Sequence, residues 1–191
     1  LSDPKENNWL YRMANKLHIV TQERVIEQQL LFSEGDVFSK RLTEETARIL
    51  RRNNYLYDAW ITPLQRGDGT VDLEVRTRDV WTLKPGFSFA RSGGENRPLI
   101  KLEELNLVGW GQQVFVARSE DVDRESTIFT FRDKNLGRSW TQLRMQYADS
   151  SDGHWNEVSL IRPFYALDSR WTAGFQGSDF DGERRLYDLG E

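Results

Sequence analysis

The residues of this chain that could carry out chemistry are few and widely separated. The chain has two histidines, His18 and His154, and neither lies at a metal-binding or nucleophile–base spacing from another such group. It has no cysteine, which excludes disulfides, thiolate catalysis and cysteine-based zinc or iron–sulfur sites. We therefore predict no catalytic residue, no metal site and no cofactor.

Carboxylates and glycines are the remaining candidates, and their positions favour structural roles. Aspartates occur in close pairs at 121/123, 149/152 and 179/181. They could bind Ca²⁺ through oxygen, but they lie in predicted hairpin turns, where aspartate bonds to the backbone. Glu103 and Glu104 are adjacent on a predicted strand, so they point to opposite faces and cannot flank one glycosidic bond. Gly109 and Gly111 precede no helix, which favours a tight strand connection with positive φ over a phosphate-binding loop.

Four tryptophans have three alternative roles. Trp110, Trp140, Trp155 and Trp171 could form an aromatic girdle at a membrane interface, a platform that stacks on sugars, or part of an ordinary core. The residues by themselves leave these alternatives open.

Composition limits the class of protein. The 191 residues carry 26 Lys and Arg against 30 Asp and Glu, a net charge of −4, which argues against a nucleic-acid-binding protein. Aromatic residues make up 12% of the chain although its mean hydropathy is −0.68, a combination typical of short, half-buried strands. No apolar run approaches the length of a transmembrane helix, and the chain opens with LSDPKENN rather than a signal peptide.

The first part of the chain has helical periodicity followed by a hairpin. Apolar residues predict a helix over 5–17, a second over 23–32 with Thr21 as its N-cap, and a third from Ser39 to Arg52. Alternation then predicts strands over 55–62 and 71–77 around the turn sequence RGDG.

Beyond residue 84 the pattern is one of strands and turns only. Strands are predicted at 86–91, 99–106, 112–118, 126–132, 139–148, 154–162 and 169–177, with an eighth near 184. Alternation places Thr141, Leu143, Met145 and Tyr147 on one face of their strand. Regular two-faced strands predict an antiparallel meander that forms a sandwich, a barrel or part of one.

Several phrases resemble the Omp85 superfamily, which includes BamA- and TamA-like proteins and bacterial surface antigen D15. Residues 21–79, with TQERVIEQQLLFSEGDVFS, LRRNNYLYDAWITP and DGTVDLEVRTRD, resemble a POTRA domain. The phrases EELNLVGWGQQVFV and RDKNLGRSWTQLRMQY resemble successive hairpins of the family's barrel. The resemblance implies an α+β POTRA-like domain at 1–84, whose first strand is missing, and the N-terminal half of an outer-membrane β-barrel at 85–191.

The resemblance also implies a function without catalysis. It implies a Gram-negative outer-membrane protein, with its POTRA domain in the periplasm, that assembles or translocates β-rich client proteins by strand templating. The partners would be unfolded outer-membrane clients and membrane lipid, with no nucleic acid.

The implied sites are strand edges and one hairpin. The edge strand Tyr57, Asp58, Ala59, Trp60, Ile61 and Thr62 would bind clients, and Pro63 would cap its far end. A weak seam strand would contain Gly86, Phe87, Ser88 and Phe89, and a structural hairpin would contain Asn106, Gly109 and Gly111. Exposed strand edges would make this chain self-associate. The alternative is a soluble β-sandwich binding module with carbohydrate as its candidate ligand.

Overall fold

The computed structural model describes residues 19–92, 95–121 and 124–183. The chain divides into two compact units: 1–82 with 106–110, and 83–105 with 111–191. The helix predicted over 5–17 and the strand predicted near 184 lie outside the described residues. None of the helices described in the structure is long and apolar enough to cross a membrane.

The longer helix of the first unit begins where its capping residue predicts. Helix α2 spans Lys40–Arg51, and the Ser39 side chain accepts a hydrogen bond from the backbone N–H of Leu42. Arg48 and Arg51 lie in its last turn, where cations favour the negative end of the helix dipole. The prediction of a helix from Ser39 to Arg52 is confirmed.

The shorter helix ends earlier than its apolar pattern predicts. Helix α1 spans only Glu23–Glu27. Gln29 is buried beyond its end, where its side-chain amide donates to the Tyr55 hydroxyl and accepts from the Asn53 amide. The N–H of Leu31 then donates to the Thr46 hydroxyl on α2. These tertiary bonds replace further helical turns, so the prediction of a helix to residue 32 is wrong.

A hairpin completes the first unit. Strand β1 (Leu56–Gln65) pairs antiparallel with β2 (Val71–Asp79), and the N–H of Arg66 donates to the carbonyl of Thr70 at 2.9 Å to close the turn. A buried cluster joins the helices to β1: Val25, Ile26, Leu50, Tyr55, Leu56 and Ala59. Pro63 is paired with Leu73 inside β1, so it does not end the strand as the sequence suggested.

The second unit is one continuous sheet. Its strands are β3 (Leu83–Ser92), β4 (Glu95–Glu104), β5 (Gln113–Glu120), β6 (Glu125–Leu136), β7 (Thr141–Ser150), β8 (Gly153–Arg162) and β9 (Ala173–Gly182). They form a seven-stranded antiparallel meander in chain order, here called the large sheet. The described part of the molecule is therefore mostly antiparallel β-structure with few helices, consistent with a partial β-barrel.

Candidate functional site

One face of the large sheet is apolar and exposed. Directly paired residues share a face, so the register assigns every side chain to one side or the other. The exposed apolar side chains on the first side are Phe87, Phe89, Ile100, Leu102, Val116, Phe129, Met145, Tyr147, Val158 and Phe175. Phe87 and Phe175 are 69% and 67% exposed although they lie inside strands. A continuous apolar surface of this kind marks contact with lipid or another protein.

The opposite face of the large sheet is mostly polar, although Ile161 and Phe180 are exposed apolar side chains on it. Its side chains include Ser88, Lys101, Gln113, Thr130, Arg144, Gln146, Glu157 and Gln176. Among them Gln113, Thr130 and Glu157 are buried, and Arg144 forms an ion pair with Glu157 at 3.2 Å. Apolar residues on the exposed side and polar residues on the other are the pattern of a transmembrane barrel strand.

The two terminal strands of the large sheet, β3 and β9, each pair on one side only within the described residues. The segment Gly86–Phe89 lies in the middle of β3, which pairs with β4 over ten residue pairs. The sequence predicted a short strand over 86–91, and the observed strand is longer. The Lys101 side chain lies across Gly86, where an added Cβ would come within 2.6 Å of its Cε.

The segment 57–62 lies in β1, at the edge of the hairpin. Tyr57 and Trp60 are exposed, and the Arg78 guanidinium lies 4.9 Å from the centre of the Tyr57 ring. The register shifts between Leu56 and Asp58, so Tyr57 forms a bulge at the start of the strand.

The backbone of β1 offers few free groups along its outer edge. The N–H of Ala59 donates to Oδ1 of Asp58, and its carbonyl accepts from Nε of Arg51 at 3.0 Å. Hydrogen-bonded and non-hydrogen-bonded pairs alternate from the pair that closes the turn, so Ile61 and Pro63 also direct their backbone groups away from β2. Proline supplies no N–H there. Ile61 therefore directs both its N–H and its carbonyl outward, as does Gln65 near the turn.

A buried polar cluster joins the loop between β4 and β5 to the rest of the first unit. Asn106 has no exposed surface, and its Nδ2 donates to the Thr21 hydroxyl at 2.8 Å. The Thr21 hydroxyl and its N–H both donate to Oδ1 of Asp79, the second at 3.0 Å. Thr21 was predicted to cap α1, but Gln22 occupies that position without a side-chain bond, so this prediction is wrong.

The backbone of the same loop makes a second connection. The N–H of Gln22 donates to the carbonyl of Gly109 at 2.9 Å, and its side-chain amide donates to the carbonyl of Val108 at 3.0 Å. Gly109 has a φ of +79°, and a Cβ there would lie 2.4 Å from the carbonyl oxygen of Val20. Gly111 also has a positive φ, of 71°. Only glycine fits at position 109, because any Cβ there would overlap the carbonyl oxygen of Val20.

Aromatic residues gather at the end of the large sheet that carries the β6–β7 turn. The Trp140 ring stacks on the Tyr165 ring with centroids 4.4 Å apart. The Arg162 guanidinium lies 4.9 Å from the Tyr165 centroid and 4.4 Å from that of Trp171. Trp171 is exposed. This cluster at the strand ends has the composition of an interfacial aromatic girdle.

The other two tryptophans lie elsewhere. Trp110 is exposed in the first unit, 5.4 Å from the Arg24 guanidinium, and Trp155 lies on the polar face of β8. None of the four tryptophans singled out in the sequence belongs to the buried core, which removes the core alternative for them.

Two of the turn aspartates pair with arginines of the protein itself. Asp121 pairs with Arg97 at 2.8 Å, and Asp152 pairs with Arg124, which raises the pKa of that guanidinium. Within 19–92, 95–121 and 124–183, no group of three His, Asp or Glu residues is placed to hold a metal ion. The register puts Glu103 and Glu104 on opposite faces of β4.

Comparisons with known proteins identify a fold. No protein-family model matches the chain, and no curated protein matches its sequence. The chain is similar to the crystal structure of BamA from Haemophilus ducreyi lacking POTRA domains 1–3, with a TM-score of 0.62 and 14% identity. The match covers 88% of this chain and 35% of that chain, so this chain spans about a third of its length. The described part of the chain therefore has a fold similar to that of this BamA structure.

Proposed function

We propose that this chain is part of an Omp85-type protein of the Gram-negative outer membrane, and that it assembles or translocates β-rich client chains by strand templating. The observation that carries the proposal is the large sheet, whose apolar face is exposed along its whole width while its other face is mostly polar. In this proposal the apolar face contacts lipid, and the first unit acts as a periplasmic POTRA domain.

The soluble β-sandwich is the weaker alternative. A sandwich covers the apolar face of one sheet with a second sheet. The described strands of the second unit form a single sheet, and its large apolar side chains are left exposed. Lipid covers such a face without a second sheet.

Two neighbouring residues on β7 test the membrane placement. Met145 points to the apolar face and Gln146 to the polar face. Because the chain has no cysteine, Met145→Cys and Gln146→Cys each carry a single spin label after reconstitution in phospholipid vesicles. We expect oxygen, which concentrates in lipid, to relax the label at 145, and a water-soluble nickel complex to relax the label at 146. Equal accessibility of both labels to both reagents would contradict the membrane placement.

Cross-linking to two residues that both pair with β4 tests whether clients are templated at the free edge of β3. Ser88 on β3 and Ser119 on β5 both pair with Leu99 on β4, one from the edge and one from inside the sheet. An unfolded outer-membrane client with one cysteine in a terminal strand should form a disulfide with Ser88→Cys and not with Ser119→Cys. Equal cross-linking of the two variants would remove the β3 edge from the mechanism.

The edge of β1 gives a second client-docking test. Ile61 directs its N–H outward, whereas alternation directs the N–H of Trp60 toward Arg76 on β2. Ile61→Pro should therefore weaken client docking and leave the hairpin folded, while Trp60→Pro should also break a hairpin hydrogen bond. The readouts are client binding and the amide exchange of β2. Normal client binding by Ile61→Pro would exclude this edge.

A further inference from the structure

The polar face of the large sheet contains a small cavity that none of the strand-edge sites uses. Its volume is about 290 Å³, and it lies across β4 to β7. Phe115 and Ile128 give it an apolar floor, and the polar groups around it include Gln113, Thr130 and Arg132. The cavity is large enough for one or two side chains and opens on the polar side of the sheet.

Gln113 presents an unsatisfied donor to this cavity. The residue is only 5% exposed, and its Nε2 is buried with no hydrogen-bond partner among the described residues. A buried amide N–H₂ without an acceptor is unfavourable, because it has lost its hydrogen bonds to water. An acceptor bound in the cavity would restore them.

Arg132 presents an unpaired cation beside that donor. It is directly opposite Gln113 on one side and Arg144 on the other. Glu157 and the Gln146 amide oxygen both bind Arg144, whereas Arg132 has no ion pair with a carboxylate in the described part of the chain. Like charges in directly opposed positions repel each other, so an anion beside Arg132 would relieve this repulsion.

From this juxtaposition we infer that the cavity binds a carboxylate, held by the Arg132 guanidinium and the Gln113 amide. A guanidinium and a carboxylate match in a planar, two-bond arrangement. Glu103 also lines the cavity, two strands from Arg132, and its negative charge disfavours a doubly charged phosphate. The acidic side chain of an extended peptide fits best, because the peptide N–H groups can donate to Glu103 while its carboxylate reaches Arg132.

Binding by the full chain in detergent micelles tests the site. The probe is a short, blocked, fluorescently labelled peptide with one central aspartate, measured by anisotropy beside its asparagine counterpart. We expect the aspartate peptide to bind about tenfold more tightly, because a charge-assisted bond is lost with asparagine. Arg132→Gln should weaken the binding of the aspartate peptide by a similar factor and remove the preference for aspartate over asparagine. The matched control is Arg118→Gln, which removes an arginine from the other face of β5.

A second measurement keeps the test valid if Arg132→Gln alters the fold. The side-chain amide resonance of Gln113, assigned by its loss in Gln113→Met, should shift when the peptide binds to the unmodified chain. Sodium acetate that produces the same shift, without tighter binding by the peptide, would assign the site to small free carboxylates. If the aspartate and asparagine peptides bind equally, and neither the aspartate peptide nor acetate shifts this resonance, the proposal is overturned. This outcome does not depend on client assembly, so it is separate from the templating tests.

Discussion

Replacing Gly109 with alanine should loosen the first unit through a collision rather than through backbone strain alone. Gly109 has positive φ, and the new Cβ would lie 2.4 Å from the carbonyl oxygen of Val20. A real Cβ cannot remain at that distance, so the loop must move away. The movement breaks the bond from the Gln22 N–H to the Gly109 carbonyl, which measures 2.9 Å.

The control variant separates strain from collision. Gly69 has a φ of +84°, close to that of Gly109, and a Cβ added there would meet no atom within 4 Å. Alanine at either site incurs about 1–2 kcal/mol for the left-handed conformation. At Gly109 the loss of the Gln22 bond adds about 0.5–1.5 kcal/mol. The excess of about 1 kcal/mol corresponds to roughly a fivefold faster opening of this segment.

Amide hydrogen exchange of the full chain in detergent measures this difference. Relative to the unmodified chain, Gly109→Ala should speed the exchange of peptides that cover 20–26 and 104–112 by a factor roughly fivefold larger than the factor by which Gly69→Ala speeds exchange at its own turn, as the energy difference requires. Gly69→Ala should instead speed exchange near the hairpin turn. Equal protection of Gln22 in both variants would show that the approach of Gly109 to Val20 does not hold the loop.

Three further changes test other parts of the structure. Asn53→Ala should lower the free energy of unfolding by about 1–3 kcal/mol, because it leaves the buried side-chain oxygen of Gln29 without its donor. Urea unfolding of the first unit measures this change, and an unchanged midpoint would contradict it. Glu157→Gln should destabilise the large sheet by about 1 kcal/mol, because Arg144 loses its carboxylate but stays partly in contact with solvent; unfolding in detergent would report this as a lower midpoint. Hydrogen bonds from the Thr70 hydroxyl and then from its backbone N–H lower the pKa of Asp68. The ionised carboxylate therefore stabilises the turn fully above the unfolded pKa of about 3.9, and this stabilisation is lost as the pH falls through the lower folded pKa. Thr70→Ala should raise the pKa of Asp68 in an NMR titration, and an unshifted titration would show that these bonds are not its cause.

Helix α1 and the cavity on the polar face show what the periodicity of the sequence cannot predict. The apolar pattern of 23–32 continues past Glu27, but the helix ends there because Gln29 and Leu31 bond to groups on other elements. Alternation assigns Gln113 and Arg132 to faces of their own strands. It does not show that register brings them opposite each other or leaves Arg132 without a carboxylate.

The sequence by itself determined the features that depend on neighbouring residues. Ser39 caps the start of α2, and alternation along 140–147 assigns the side chains of β7 to two faces. Turn residues separate the strands of the meander. Only the tertiary structure decided which distant groups meet. Thr21 and Asn106 are 85 positions apart, and no local pattern predicts that they bond to each other. Local propensity acts within a few residues, whereas such a bond requires the fold to bring two distant parts of the chain together.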